Sequence, residues 1–230
     1  MATLGSPHLH LRATTSTNDH ARALAARGVP HGTIVTAGEQ TAGRGRQGRT
    51  WSAPPGHALL LSVVVRRPLD LLPLAAGLAV ARAVGPQAAI KWPNDVLVDD
   101  RKIAGILAEG RPQEGWAVIG IGLNVAVRLA DLPPELHGTA ATLGLQPADI
   151  PGVRRRVLGE LAAALALDPG ELLAAYRERD ALLGRPITWA SGSGTAAGID
   201  GTGRLVVRLA GGGQAQLDAG EVHLRAGGVT

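Results

Sequence analysis

The sequence predicts an α/β (α+β) protein in which a mixed sheet is flanked by helices and followed by a small all-β unit. Strand-type and helix-type segments alternate through residues 1–183. Several of the strands follow one another through hairpin turns, which favours a mixed sheet over a doubly wound parallel one. From residue 184 onward, Gly-rich turns separate short strands with no helical pattern. We therefore expect two domains, over residues 1–183 and 184–230.

The first half of the larger domain has clear element signals. Residues 15–28 carry Ser, Thr and Asn at the start, apolar residues at helical spacing and Gly at the end, which predicts a short helix. β-Branched residues predict a strand at 32–37. A continuous apolar run at 57–67 predicts a strand buried on both faces. Residues 71–84 predict a helix with Pro73 in its first turn.

The second half continues the alternation. Residues 89–110 predict a turn, a strand ending at Val98, a hairpin tip at Asp99 and Asp100, and a second strand ending at Glu109. Residues 115–127 predict another strand.

Two helices are predicted next, at Arg154–Leu167 and Gly170–Leu182. The short alternating strands after residue 184 are typical of a small β barrel of the SH3 type.

Composition narrows the class of protein. The chain has 230 residues and no cysteine, which excludes disulfides and thiolate metal sites. No basic segment followed by an apolar run opens the chain, and no apolar stretch has the length of a membrane span. We expect a cytoplasmic protein without a membrane partner.

The excess of basic over acidic residues suggests a nucleic-acid-binding module as one alternative. Lys and Arg number 23 against 19 Asp and Glu, a formal net charge of +4. Aromatic residues make up only 2% of the chain, so the stacking platforms of single-strand binders are scarce. The arginines also concentrate in one glycine-rich loop, a pattern that suits one or two phosphates better than a long nucleic-acid backbone.

That loop contains a literal G-x-G-x-x-G at Gly43–Gly48. A dinucleotide-binding turn of the Rossmann type needs a helix that begins at the last glycine, because the helix N-terminus holds the pyrophosphate. Here Pro54 and Pro55 follow instead, and paired prolines disfavour a helix. The segment is therefore predicted to be a loop.

Five segments place polar groups beside glycine or at the end of a strand, where side chains can converge on a ligand. They are "TSTND" at 15–19, the loop "GRGRQGRTW" at 43–51 (the arginine loop) with Gln40 ahead of it, "KWPNDV" at 91–96, "KIAGILAEG" at 102–110 and "GIGLNV" at 120–125. Four of them have a structural alternative: helix capping for the first, a solvated loop for the second, a turn for the third and a close strand-to-helix contact for the last.

Other chemistries lack their motifs. The sequence contains no H-E-x-x-H, no G-x-S-x-G and no G-x-x-x-x-G-K-[ST], and it offers no obvious nucleophile. Cations, glycines and amides without a nucleophile are typical of an enzyme that positions two substrates and stabilises charge at phosphorus.

Taken in order, "STN", "GRGRQGRTW", "KWPNDV", "KIAGILAE" and "GIGLNV" resemble the successive motifs of biotin-protein ligases, also called biotin-[acetyl-CoA-carboxylase] ligases. The resemblance runs from about Thr15 to Val125. It implies a mixed sheet with flanking helices, related to class II tRNA synthetases and lipoate ligases, followed by an SH3-like domain.

The resemblance also implies the activity. Biotin and ATP with Mg²⁺ would give biotinyl-5′-AMP and pyrophosphate, and a lysine of the biotin carboxyl carrier protein would then take the biotinyl group. No enzyme nucleophile is required. A lipoate-protein ligase is the nearest alternative, and a homodimer is one alternative for the oligomeric state.

By motif, the resemblance implies a set of site residues. Arg46 and Lys102 would be catalytic, with Lys102 contacting the biotin carboxylate and the α-phosphate. The implied biotin-binding residues are Ser16, Thr17, Asn18, Gln40, Arg44, Gly45, Arg46, Lys102, Gly105 and Gly120. The implied ATP-binding residues are Arg44, Arg46, Arg49, Trp51, Asn94, Lys102, Gly122 and Asn124. The implied metal ligand is Asp95.

Longer members of the family carry an N-terminal winged helix that binds operator DNA. Only 14 residues precede Thr15 here. We therefore expect a short form of the ligase, without that domain and without operator DNA as a partner.

Overall fold

The structure is a computed structural model that describes residues 4–218 and 222–224. The predicted small domain at 184–230 therefore includes residues 219–221 and 225–230, which lie outside the described residues.

Seven strands form one mixed sheet in the order β1-β2-β3-β7-β6-β5-β4. Strands β1 and β2 are parallel, and the other neighbouring pairs are antiparallel. This confirms the predicted mixed sheet. The strands are β1 His8–Leu11, β2 Ile34–Ala37, β3 Ala58–Arg66, β4 Ala88–Lys91, β5 Asp95–Val98, β6 Arg101–Arg111 and β7 Trp116–Asn124.

Helices cover both faces of this sheet. They are α1 Thr17–Ala26, α2 Leu72–Val84, α3 Ile150–Leu165 and α4 Pro169–Arg177. On one face, α2 lies between the sheet and α3, so it is buried on nearly all sides. Within residues 4–218 and 222–224, none of the helices combines the length and apolar character needed to cross a bilayer.

Of helices α1–α4, α1 alone packs on the opposite face. Its residues Ala21 and Ala25 pack on Val64 of β3 and Val118 of β7, in a small apolar cluster near one end of the sheet. Strand β3 is therefore buried on both faces, as its continuous apolar run predicts. The cavity described below lies on the rest of this face, beyond α1.

Four elements differ from the sequence prediction. Strand β4 lies where the sequence predicts a turn. Strand β1 was not predicted, because "HLHL" is short and mostly exposed. Helix α3 begins four residues before Arg154, at Ile150. Helix α4 ends at Arg177, so its predicted extension to Leu182 is wrong: the backbone of residues 179–181 instead hydrogen-bonds to Ile90 along the outer edge of β4.

The C-terminal part forms a second, antiparallel sheet in the order β11-β10-β9-β8-β12. This confirms a small all-β unit after the helices. Closure of these strands into a barrel, and the domain boundary between residues 183 and 184, stay predictions. The strands are β8 Pro186–Trp189, β9 Gly192–Ile199, β10 Leu205–Arg208, β11 Gln214–Leu217 and β12 His223–Leu224.

The two sheets share one apolar core, since Ile187 and Leu205 belong to the same buried cluster as the α2 residues. The indole N–H of Trp92, just after β4, donates to the carbonyl oxygen of Gly203 at 3.0 Å. At the β5–β6 hairpin tip, Arg185 binds Asp100 with an Nη1–Oδ1 distance of 2.6 Å. The second sheet is thus fixed beside the β4–β6 edge.

Gly203→Ala tests this junction. Gly203 has a φ of +82°, and an added Cβ would lie 2.7 Å from Leu71 Cδ2 and 2.8 Å from Leu74 Cδ1. We expect the free energy of unfolding in urea to fall by about 1–3 kcal/mol, from backbone strain and overpacking together. The control is Gly201→Ala, where no atom lies within 4 Å of the added Cβ, and where we expect a change below about 0.5 kcal/mol. Equal effects of the two substitutions would contradict this account of the junction.

Candidate active site

A cavity of about 530 Å³ lies on the face of the seven-stranded sheet that α1 leaves open. Its volume is in the range of small-molecule sites. The structure brings every sequence-predicted site residue to its lining, and their individual roles stay predictions. These residues are Ser16, Thr17, Asn18, Gln40, Arg44, Gly45, Arg46, Arg49, Trp51, Asn94, Asp95, Lys102, Gly105, Gly120, Gly122 and Asn124.

The floor of the cavity is a patch of sheet without side chains. Gly105 of β6 stands directly opposite Gly122 of β7, and Gly120 lies two residues earlier on the same face. A Cβ at Gly122 would overlap the indole of Trp51, and a Cβ at Gly120 would overlap the amide of Asn18. The glycines therefore make room for the protein's own side chains as well as lining the cavity. At Gly120, this is the close strand-to-helix contact named above as an alternative.

Lys102 is aimed into the cavity by an irregularity in its strand. The pairing of β5 with β6 shifts by one residue beside Lys102, and such bulges redirect side chains next to binding sites. The Lys102 N–H donates to the carbonyl of Thr139 at 2.7 Å, and its own carbonyl accepts from Ala141 at 2.8 Å. The Nζ atom lies 2.6 Å from Asp95 Oδ1 and 5.9 Å from the centre of the Trp51 ring.

The predicted metal ligand Asp95 is thus paired with Lys102. In the parts of the chain that the structure describes, no three His, Cys, Asp or Glu side chains gather to hold a metal by themselves. Protein sites for Mg²⁺ commonly use one or two carboxylates and complete the shell with substrate phosphates and water. A single cavity-lining carboxylate such as Asp95 fits a shared site of that kind.

The start of α1 forms a polar end of the cavity. Ser16, Thr17 and Asn18 are all buried, and the Ser16 side chain makes no capping bond although it holds the N-cap position. Helix capping therefore does not account for the "TSTND" segment. The backbone N–H and the hydroxyl of Thr17 donate to Gln40 Oε1 at 2.8 and 2.9 Å. Because an N–H can only donate, this contact identifies the oxygen of the Gln40 amide and keeps its Nε2 donors for another partner.

Ser62 of β3 was missed by the sequence analysis. Its side chain is completely buried, and its Oγ lies 2.8 Å from Thr17 Oγ1 and 2.6 Å from Asn18 Oδ1. A single hydroxyl within the apolar run "ALLLSVVV" is the signal that could have found it, because a buried polar group needs a hydrogen-bond partner.

The arginine loop covers the cavity from one side. Residues Arg46–Gly48 make one short 3-10 turn, with Gln47 at a φ of 54°, and no α-helix begins there. This excludes the Rossmann alternative. Arg46 Nη1 donates to Asn94 Oδ1 at 3.1 Å, which joins the loop to the "KWPNDV" turn. Arg44, predicted for both ligands, directs its guanidinium to Asp19 and Glu109.

The opposite wall combines Asn124, which the sequence predicts, with segments that carried no sequence signal. Asn124, at the end of β7, donates its Nδ2 to the carbonyl of Ala141 at 2.9 Å, and its buried Oδ1 has no hydrogen-bond partner among the described residues. The wall residues that the sequence analysis missed are Leu132, Leu136, Thr139 and Ala140 from the segment after β7, and His223 and Leu224 from β12.

Ser62→Ala tests the polar end. The substitution leaves Asn18 Oδ1 buried without the Ser62 donor, and an unsatisfied buried group costs about 1–3 kcal/mol. We expect the free energy of unfolding in urea to fall by that amount. Ser193→Ala, at an exposed position of β9, is the control and should change it by less than about 0.5 kcal/mol. A Ser62→Ala variant as stable as this control would remove Ser62 from the network.

Comparisons with known proteins agree with this geometry. Residues 11–125 match the biotin/lipoate A/B protein ligase family, and residues 182–225 match the biotin protein ligase C-terminal domain. The biotin–[acetyl-CoA-carboxylase] ligase of Mycobacterium tuberculosis is 37% identical, over 92% of this chain and 87% of that protein. The bifunctional ligase/repressor BirA of Bacillus spizizenii is 38% identical over 61% of this chain and 47% of that protein, so the chain spans about half the length of this relative.

Among solved structures, the biotin protein ligase from Aquifex aeolicus in complex with biotin and ATP superposes with a TM-score of 0.78. The two are 26% identical, and the superposition covers 96% of this chain and 99% of the Aquifex chain. Since a family match spans residues 11–125 and a curated relative aligns along most of its own length, the chain belongs to the biotin/lipoate A/B protein ligase family, among its biotin protein ligases.

Proposed function

We propose that the protein joins biotin to ATP, forming biotinyl-5′-AMP and pyrophosphate, and then transfers the biotinyl group to a lysine of the biotin carboxyl carrier protein of acetyl-CoA carboxylase. The observation that carries this proposal is a single cavity with an amide-and-hydroxyl end at Thr17 and Gln40 and a cationic end at Arg46 and Lys102. The names of the relatives supply the substrates: biotin for the ligases, and biotin with ATP for the Aquifex complex.

The polar end suits the ring system of biotin. The ureido group has a carbonyl acceptor and two N–H donors. The Gln40 Nε2 donors and the Ser16 hydroxyl offer partners of both kinds, while Gly45 and Gly120 lie beside them in the lining. Asn18 and Thr17 are already held by Ser62, so this end is ordered before a ligand arrives.

The cationic end suits the reacting groups. In the first half-reaction, a biotin carboxylate oxygen bonds to the α-phosphorus of ATP, and the bond from that phosphorus to the bridging oxygen breaks to release pyrophosphate. Lys102 and Arg46 both line the cavity. Lys102 would contact the carboxylate and the α-phosphate, and Arg46 would bind the same phosphate from the loop. In the second, the carrier lysine amine attacks the acyl carbon, loses its proton, and AMP leaves.

This route needs no nucleophile from the protein, in agreement with the sequence. Mg²⁺, when bound, would neutralise phosphate charge, and Asp95, with Asn94 beside it, would be its protein contact. Arg49 would add positive charge at the nucleotide end, and Trp51 would form a wall for the adenine. The cytoplasm as the place of action, the homodimer as an alternative and the lack of operator-DNA binding belong to the same proposal.

Biotin should drive ATP–pyrophosphate exchange, and lipoate should not. The Gln40 and Thr17 groups match the ureido ring, which lipoate lacks, and a site built to hydrogen-bond such a group rejects an analogue without it. The measurement is isotope exchange from labelled pyrophosphate into ATP with each acid and with neither. Equal exchange with both acids would favour the lipoate alternative, and no exchange with either would remove the adenylation proposal.

Asn124→Ala should impair the use of ATP more than the binding of biotin. The unpartnered Oδ1 of Asn124 can accept from the 6-amino group of adenine, whereas guanine presents a carbonyl there. Loss of one such contact should lower exchange at limiting ATP by about 10- to 100-fold and reduce the preference for ATP over GTP. Biotin affinity, measured by calorimetry, is the internal control. An unchanged preference for ATP would contradict adenine recognition by Asn124.

A further inference from the structure

We propose that Glu109 is a positioning residue that holds the arginine loop closed over the cavity, with Arg44 as the side chain it holds. The effect of Glu109 on the adenylate intermediate rests on the proposed function. The effect on loop closure is measured without ligands and does not depend on that function. Glu109 stands near the end of β6, outside the set of site residues that the sequence predicts.

The first observation is how the loop is attached. Arg44 Nη2 lies 3.0 Å from Glu109 Oε2 and 2.7 Å from Asp19 Oδ1, so one guanidinium nitrogen joins the loop to both β6 and α1. Arg22 Nη1 approaches Glu109 Oε1 at 3.4 Å from α1. Glu109 is thus the carboxylate on which a loop cation and a helix cation converge.

The second observation is a hydrogen bond between the same carboxylate and Asn18, at the polar end of the cavity. Asn18 Nδ2 donates to Glu109 Oε2 at 2.7 Å and approaches the carbonyl of Leu107 at 3.3 Å. These two acceptors fix the Asn18 amide so that its Oδ1 faces Ser62. One side chain therefore orients the polar end of the cavity and binds the loop that covers it.

The charges and their exposure set the strength of this attachment. The Glu109 side chain is 25% exposed and that of Arg44 is 37% exposed. A single pair of that kind contributes little, but a network of several charges and an amide contributes more. Because the network reaches water, salt should weaken it. A latch of this strength can hold the loop and still release it.

The consequence concerns the intermediate. A mixed anhydride of a carboxylic acid and AMP reacts with water and with any amine, so it must be kept in a closed site until the acceptor lysine arrives. Arg44 is held between two carboxylates, those of Asp19 and Glu109. Arg44 is thereby assigned to closing the loop, and Glu109 sets how long the loop stays closed.

The test compares Glu109→Gln with the matched control Glu114→Gln. Glu114 also accepts from an arginine, Arg111, at 2.8 Å and from a neutral N–H, that of Trp116, at 2.9 Å, but it lies in the connection between β6 and β7. The first measurement is the rate of trypsin cleavage after the loop arginines, without ligands. We expect Glu109→Gln to raise this rate about three- to tenfold, as loss of roughly one charge-assisted contact implies, and Glu114→Gln to leave it unchanged.

The salt dependence of loop cleavage distinguishes loss of the Glu109 ion pairs from general structural damage. Raising the ionic strength should speed loop cleavage in the unaltered protein and have a smaller effect in Glu109→Gln, where the Arg44–Asp19 pair remains but the ion pair to Glu109 is lost. Asp19→Asn is a second variant in case Glu109→Gln unfolds, because it removes one carboxylate from Arg44 and leaves the Glu109–Asn18 bond in place. It should give a smaller rise in cleavage.

The second measurement is the release rate of biotinyl-5′-AMP formed on the protein. Glu109→Gln should release it about three- to tenfold faster, while the control variant matches the unaltered protein. Loop cleavage and release that are unchanged in both Glu109→Gln and Asp19→Asn would overturn the proposal. If the unaltered protein forms no adenylate, the proposed function fails, and the cleavage and salt results still decide the latch.

Discussion

The site depends on one constraint, a stretch of sheet backbone with no side chains on one face. Gly105 and Gly122 stand opposite each other in the β6–β7 pair. Glycine weakens a strand unless something must approach its backbone closely, and here the Trp51 indole does so. Any Cβ at Gly122 would displace that indole and, with it, the wall that faces Lys102. The cavity is therefore specified by missing side chains as much as by the polar groups around it.

Polar side chains in such a cavity must be oriented as well as present. Four amides line it. Asn94 is bound at both ends, by Arg46 and by Ile106, and in the other three a group whose hydrogen-bonding role is fixed binds one end. Gln40 accepts from the backbone of Thr17, Asn18 donates to Glu109, and Asn124 donates to Ala141. Since a primary amide has one donor end and one acceptor end, fixing one end decides what the other offers. The ligand chemistry proposed above follows from these free ends, a donor at Gln40 and an acceptor at Asn124.

The sequence predicted five of the seven strands of the large sheet and a set of motif residues that the structure brings to one cavity, because a motif is local and its spacing survives folding. It missed Ser62 and Glu109, which both hydrogen-bond to the Asn18 side chain of α1, 44 and 91 residues away in the sequence. It also missed the wall at Leu132–Ala140, a proline-containing segment that lies outside the motifs. Helix α4 was predicted too long for a related reason, since pairing of residues 179–181 with Ile90 overrides a helical pattern.

The cavity is closed from two sides by interactions of different kinds, and the difference suits the proposed reaction. The C-terminal sheet is fixed mainly through a shared apolar core and the partly buried Trp92–Gly203 contact, which salt does not screen, with the exposed Arg185–Asp100 pair beside them. The arginine loop is held by partly exposed charges at Arg44 and Glu109, which water and salt weaken. Segments that must move are those with few buried apolar contacts. A ligase has to admit two substrates, retain a reactive intermediate and then admit a protein lysine, so one wall must open while the other keeps the geometry. The ion pairs that hold the arginine loop allow that wall to open. The apolar junction behind the β5–β6 hairpin keeps Lys102 in place.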